Sequence, residues 1–146
     1  MLRKLQEGDK KILFDWVNDP EVRKMSVNTE PVLWEDHEKW FESKLKDKNT
    51  RIFLLTENDQ KIGQVRFHLK NSEWLIGYSI AKEFRGKGYG RQILIDGLKE
   101  MQTGRFIAYV KPANLASLKI FLELKFEQSP EIEDENTGLI KFSLNI

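Results

Sequence analysis

The hexapeptide Arg85-Gly86-Lys87-Gly88-Tyr89-Gly90 is where this sequence concentrates its chemistry. Glycine at alternate positions removes Cβ atoms, so the backbone can take unusual φ values and approach a ligand closely. An apolar, strand-like run from Trp74 to Ile80 precedes the loop, and helical periodicity follows it. Backbone N–H groups at such a junction lack intrahelical partners. Those donors, the helix dipole and the cations Arg85, Lys87 and Arg91 suit a phosphate group. A P-loop needs Ser or Thr after its lysine, but Gly88 follows Lys87. A Rossmann fingerprint needs glycine one residue beyond Gly90, where this chain has Arg91. Taken alone, the loop also fits a packing turn.

The elements around the loop follow from periodicity and turn residues. Leu2 to Leu5 reads as a short strand, and Asp9 as the cap of a helix with Ile12, Leu13, Trp16 and Val17 on one face. Pro20 ends that helix, and a helical turn over Glu21 to Met25 follows. Trp34, His37, Trp40, Phe41 and Leu45 recur at helical spacing; Trp16 and Trp40 read as core, and His37 as a satisfied core histidine. Ile52 to Leu55, Ile62 to Leu69 and Trp74 to Ile80 form three antiparallel strands, turned at Asn58-Asp59 and Asn71-Ser72. Gln64, Arg66 and His68 share one face of the middle strand. A helix carrying Ile93, Leu94, Leu98 and Met101 follows the glycine loop, and Phe106 to Val110 is a strand parallel to Trp74–Ile80. Asn114 caps a last helix, and two late strands flank the acidic stretch Glu131 to Asn136. The expected fold class is α+β, in one domain over residues 1–146.

Composition narrows the function. The 146 residues carry 24 Lys+Arg against 23 Asp+Glu, and that balance gives no field to favour nucleic acid. Cysteine is absent, which excludes disulfides, thiolate metal sites and a cysteine nucleophile. No metal is expected. Neither a signal peptide nor a membrane-spanning run is read, so the expected location is the cytoplasm.

Arg85-x-x-Gly88-x-Gly90 after a strand resembles the (Gln/Arg)-x-x-Gly-x-(Gly/Ala) motif of the GCN5-related N-acetyltransferases (GNAT). Glu83-Phe84, Asn114-Leu-Ala-Ser117, Leu2-Arg3 and Trp16-Val-Asn-Asp-Pro20 extend the resemblance over nearly the whole chain. It implies a twisted, mostly antiparallel sheet of about seven strands with about four helices, opened by a splayed parallel pair. Acetyl-CoA would lie in that splay. The resemblance assigns the pantetheine arm to backbone groups of Ile80 and Ala81, and the pyrophosphate to amides of Arg85, Gly86, Lys87, Gly88, Tyr89, Gly90 and Arg91. Asn114, Ser117 and Phe121 would meet the cofactor from the far side. A homodimer is common in the family.

Transfer from a thioester to an amine needs a neutral amine, a polarised carbonyl and a protonated thiolate. Without cysteine, direct attack in a ternary complex is the expected course. Relatives carry a Tyr acid where this chain has Phe121, a Glu where it has Leu75, and Gly where it has Lys125. Glu73, through a water, and His68 are the candidate catalytic groups; Tyr89 and Tyr109 are possible acids that also read as core. Asn18, Asp19, Arg23, Asn28, Gln64 and Arg66 are the expected acceptor-binding residues. Amides, arginines and indoles suit a sugar and its phosphate. The same segments are similar to acetyltransferases of UDP-linked 4-amino sugars in pseudaminic-acid-type pathways, which makes a nucleotide-linked amino sugar the expected partner. A protein N-terminus or a polyamine is the alternative acceptor, and a non-catalytic CoA-binding module the alternative role.

Overall fold

Two tight hairpins set the register of the sheet. In the computed structural model, which describes residues 1–129 and 138–146, strands β2 (Thr50–Glu57), β3 (Gln60–Lys70) and β4 (Glu73–Ile80) are joined by two-residue turns. Asn58-Asp59 (φ 51° and 63°) and Asn71-Ser72 (φ 53° and 64°) both take the left-handed conformation such turns require. Asparagine and aspartate tolerate it by bonding locally. Strand β1 (Leu2–Lys4) adds to the free edge of β2. The acidic stretch Glu131 to Asn136 lies outside the described residues.

Strands β5 (Arg105–Val110), β6 (Glu127–Gln128) and β7 (Ile140–Asn145) complete seven strands in the order β1-β2-β3-β4-β5-β7-β6. Among the described residues, only β4 and β5 are parallel. The helices are α1 (Lys10–Val17), α2 (Pro20–Met25), α3 (Trp34–Lys46), α4 (Tyr89–Met101) and α5 (Leu115–Glu123). That is the expected architecture, with five helices in place of about four. Phe67, Phe106, Ile93 and Leu94 are buried between β3, β5 and α4, where apolar burial at about 25 cal/mol per Å² holds the two layers together.

Asp9 corrects one expectation. Its side chain makes no cap bond at the start of α1. It is 1% exposed and accepts from both Arg3 Nη atoms and from Lys61 Nζ, each at 2.9 Å, and from the Gln6 N–H at 2.8 Å. Burial alone would raise its pKa, but these donors outweigh that and hold it at about 2. Asp9 thereby ties the chain start to β3. His37 is buried as expected, donating from Nε2 to the Lys10 carbonyl at 2.8 Å among the rings of Phe14, Trp34, Trp40 and Phe41.

Candidate functional site

Strands β4 and β5 pair only at Trp74↔Phe106 and Leu75↔Ile107. Beyond those positions they part, which is the splay the sequence led us to expect. The opening is a groove of about 860 Å³ that runs past the glycine loop to Asn114 and Ser117. Gly88 stands at the N-cap of α4 with φ 86° and ψ 4°, a conformation glycine adopts at little cost. A Cβ at Gly88 would meet nothing within 4 Å, because the position faces open space. The first intrahelical bond runs from the Gln92 N–H to the Gly88 carbonyl at 3.2 Å. Tyr89, Gly90 and Arg91 therefore precede it with N–H groups that have no intrahelical acceptor. A bare backbone cradle at a helix start fits the pyrophosphate of CoA.

Several cofactor expectations change in detail. The Arg85 side chain turns back into the protein, donating from Nε to the Ile80 carbonyl (3.0 Å) and pairing through Nη2 with Asp19 (3.1 Å). It braces the loop against α2. Ala81 has both backbone groups engaged, its N–H on Ile62 and its carbonyl under the Phe84 N–H. The Ala81 N–H is therefore taken, while the Ala81 and Ile80 carbonyls each accept one bond and keep a second lone pair. Gly86, Tyr89, Gly90 and Arg91 line the groove, while Lys87 is exposed beside the Phe84 ring and Ala81 is buried away from it. Asn114 caps α5, accepting from the Ser117 N–H at 3.3 Å. Phe121 packs in the core against Phe126 and Phe142, with one side on the groove.

A second cavity of about 630 Å³ opens on the opposite face of β4. Gly77, Tyr78 and Ser79, with Val22 and Ser26, border both spaces, so this is where a donor and an acceptor can meet. Of the expected acceptor-binding residues, Arg23, Asn28, Gln64 and Arg66 line the second cavity. Asn18 and Asp19 do not. Asn18 clamps the backbone of Val32 through both side-chain atoms (2.7 and 2.9 Å), and Asp19 caps α2 and pairs with Arg85. Burial pushes the Asp19 carboxyl up, but the Arg85 guanidinium and the backbone N–H donors bring its pKa below the ordinary value.

The structure also separates the two catalytic candidates from this junction. Glu73 begins β4, five residues or about 17 Å of strand from Tyr78, and its carboxylate binds Arg105 Nε at 2.8 Å. His68 pairs with Leu75 across the hairpin. Its Nδ1 lies 2.9 Å from Thr50 Oγ1, and Thr50 gives its own proton to Asp47. Neither residue borders the groove or the second cavity. Tyr109, expected in the core, is 42% exposed on the groove wall.

Residues the sequence reading passed over stand at the junction instead. The Tyr78 hydroxyl lies 2.6 Å from Ser117 Oγ, with its ring edge-on to Phe121 at 6.2 Å. Burial raises its pKa, and the Ser117 bond offsets part of that rise. Trp16 and Trp40, read as core, are half-buried walls of the second cavity. Tyr78 shares strand parity with Ile76 and Ile80, so alternation alone gives it no signal of a role in the site. That Arg66 faces Gly77 across the hairpin was the available signal for the second cavity.

The description of the matching family model is "Acetyltransferase (GNAT) domain", and it covers residues 1–127. The chain belongs to the GNAT acetyltransferases. Among curated relatives, the protein MJ1062 of Methanocaldococcus jannaschii is 28% identical over 137 residues, covering 88% of this chain. The match spans only 28% of that longer protein. The acetyltransferase PseH of Campylobacter jejuni is 24% identical over 136 residues, covering 89% of this chain and 84% of its own length. The GNAT fold recurs in solved structures. Spermidine N-acetyltransferase from Vibrio cholerae, solved with CoA and spermine, has a TM-score of 0.84 at 19% identity, over 100% of this chain and 94% of that one. Ribosomal-protein-alanine N-acetyltransferase from Brucella melitensis gives 0.81 at 19% identity, over 100% and 99%. At such identities the likeness concerns the fold alone. Among the described residues, no helix is long and apolar enough to cross a membrane.

Proposed function

We propose that this GNAT domain moves the acetyl group of acetyl-CoA onto the primary amine of a UDP-linked 4-amino sugar by direct attack in a ternary complex. The observation that carries the reading is the second cavity, which opens onto the donor groove at Gly77–Ser79. Its walls combine the indoles of Trp16 and Trp40 with Asn28 and Gln64, and set Arg23 and Arg66 against Asp36. Indoles cover sugar faces, amides meet hydroxyls, and a cationic wall suits a nucleotide diphosphate. Such a wall repels a polyamine.

Bound acetyl-CoA supplies the activated thioester carbonyl. The backbone around Gly88 holds the pyrophosphate, and the parted edges of β4 and β5 hold the arm. As the amine nitrogen bonds to the carbonyl carbon and the C–S bond breaks, one proton leaves nitrogen and one must reach sulfur. Phe121 has none to give. Tyr78 takes that role in this reading: its O–H lies on the donor-groove side of β4, burial keeps it protonated, and Ser117 orients it.

The test is CoA release from acetyl-CoA in the presence of a UDP-linked 4-amino sugar, spermidine or a peptide with a free N-terminus. Turnover with the sugar nucleotide supports the reading. Turnover with spermidine or the peptide alone replaces the acceptor, and tight CoA binding with no turnover supports a binding module.

A further inference from the structure

We propose that the Arg66 guanidinium is the anchor for an oxyanion carried by the acceptor, a phosphate or a carboxylate. The inference rests on the second cavity being the acceptor site. The chain has seven arginines. Four of them, Arg3, Arg85, Arg91 and Arg105, pair with carboxylates. Arg51 lies at the surface over the Trp74 ring. Arg23 is held by neutral acceptors alone, the carbonyls of Val17, Asn28 and Glu30 and the hydroxyl of Ser26. Arg66 differs from all of these. Among the described residues its guanidinium has no hydrogen-bond or ion-pair partner, and it lies over the Trp40 ring, 5.7 Å from guanidinium carbon to ring centre.

A guanidinium that has lost much of its water without gaining an anion is costly to keep. Stacking on an indole offsets part of that cost but leaves the N–H groups free. The local backbone is cut to hold it there. Arg66 faces Gly77 across the β3–β4 hairpin, and a Cβ at Gly77 would stand 2.9 Å from Nη2. Only glycine leaves the plane of the guanidinium room to lie over β4, next to Tyr78 and Ser79, where the two spaces join. Arg23 sits in the same wall, its charge likewise uncompensated. A planar fork of free N–H donors, floored by an indole and seconded by another arginine, matches an oxyanion with two acceptor atoms. Asp36 is the carboxylate residue of this lining, and it is exposed at the rim.

Calorimetry on the CoA-saturated protein tests the assignment, because CoA blocks the pyrophosphate cradle at Gly88. UDP and glucuronate are the probes. One-to-one binding is expected, led by UDP if phosphate is the natural group and by glucuronate if carboxylate is. Arg66→Met should weaken the better probe about 30-fold or more, with CoA affinity and melting temperature unchanged. Arg66→Lys, lacking the fork, should fall between. If Arg66→Met does not fold, Gly77→Ala should displace the guanidinium and weaken the same probe. Failure of both probes to bind wild type, or wild-type binding by Arg66→Met, overturns the subsite. Arg66-dependent UDP binding with no acetylation of any amine keeps the subsite and removes the amino-sugar reaction. Acetylation of a sugar nucleotide with unchanged KM in Arg66→Met does the reverse.

Discussion

Replacing Gly88 with Glu tests the donor cradle directly. Gly88 lies at φ 86°, where an L-residue costs about 1–2 kcal/mol, and a Cβ there meets nothing within 4 Å. The folded protein therefore has room for the new side chain and loses only that strain. The effect on CoA is far larger. A carboxylate brought to about 4 Å from a pyrophosphate charge costs roughly 4 kcal/mol at an effective dielectric near 20. That corresponds to about a thousandfold in affinity, before any N–H donor is blocked. Gly88→Ala separates the two contributions, since it keeps the strain and omits the charge. Calorimetric titration with CoA reads the affinity, and thermal denaturation reads the fold. Gly88→Glu should melt within a few degrees of wild type yet show no CoA binding at micromolar concentrations. A folded Gly88→Glu protein that binds CoA as wild type does would refute the cradle.

Three further outcomes follow from single contacts. Tyr78→Phe should lower kcat about 10²-fold with little change in the KM for acetyl-CoA, and should remove any alkaline limb of the kcat–pH profile that the tyrosine proton sets. Asp9→Asn should destabilise the fold by about 2–3 kcal/mol in urea titrations, because it leaves Arg3 and Lys61 without their shared carboxylate. Asp9 titrates at about 2 when folded against an ordinary 3.8, so its contribution is full above about pH 4 and is lost as pH falls through 2. Acid denaturation of Asp9→Asn should accordingly lack that step. Lys125, just beyond α5, holds φ 70° while its N–H bonds the Leu122 carbonyl, which places a lysine where a helix stop prefers glycine. Lys125→Gly should raise the melting temperature by about 2–4 °C, and a lower value would contradict the strain assigned here.

The donor half was legible because it is a backbone site. Glycine spacing, a strand before and a helix after are local in sequence, and the groove they form needs no particular side chains. The second cavity, the acceptor side of the proposed reading, is assembled from α1, α2, α3, β3 and β4, and its chemistry depends on which face each strand turns outward. Tyr78 shares its face of β4 with the apolar Ile76 and Ile80, so alternation does not single it out, and the helical stripe makes Trp40 read as core. Parity was read correctly for Gln64 and Arg66, which do line the cavity. It misled for His68, because the face continues beyond the cavity to the Thr50–Asp47 end of the sheet. Asn18 and Asp19 carry polar atoms of the right kind, but their local backbone claims them first.

The missing base bears on the acceptor as well. Leu75, where the family resemblance implies a glutamate, is 38% exposed and borders neither space, and Glu73 is tied to Arg105. Among the described residues that border both spaces there is no carboxylate, so in the proposed reading the amine loses its proton largely unaided. An alkyl amine of lysine-like pKa, about 10.4, is neutral in roughly one molecule in 2,500 at pH 7. That scarcity adds about 4–5 kcal/mol to the effective barrier. An amine on a sugar ring, flanked by electron-withdrawing oxygen substituents, is less basic and pays a smaller penalty. In the proposed reading two separate features disfavour a polyamine: no carboxylate borders both spaces to take its proton, and Arg23 and Arg66 oppose its charge. In the proposed reading, the lack of a carboxylate among the described residues between the two spaces and the unpaired guanidinium of Arg66 favour one acceptor chemistry, a weakly basic amine joined to an anion.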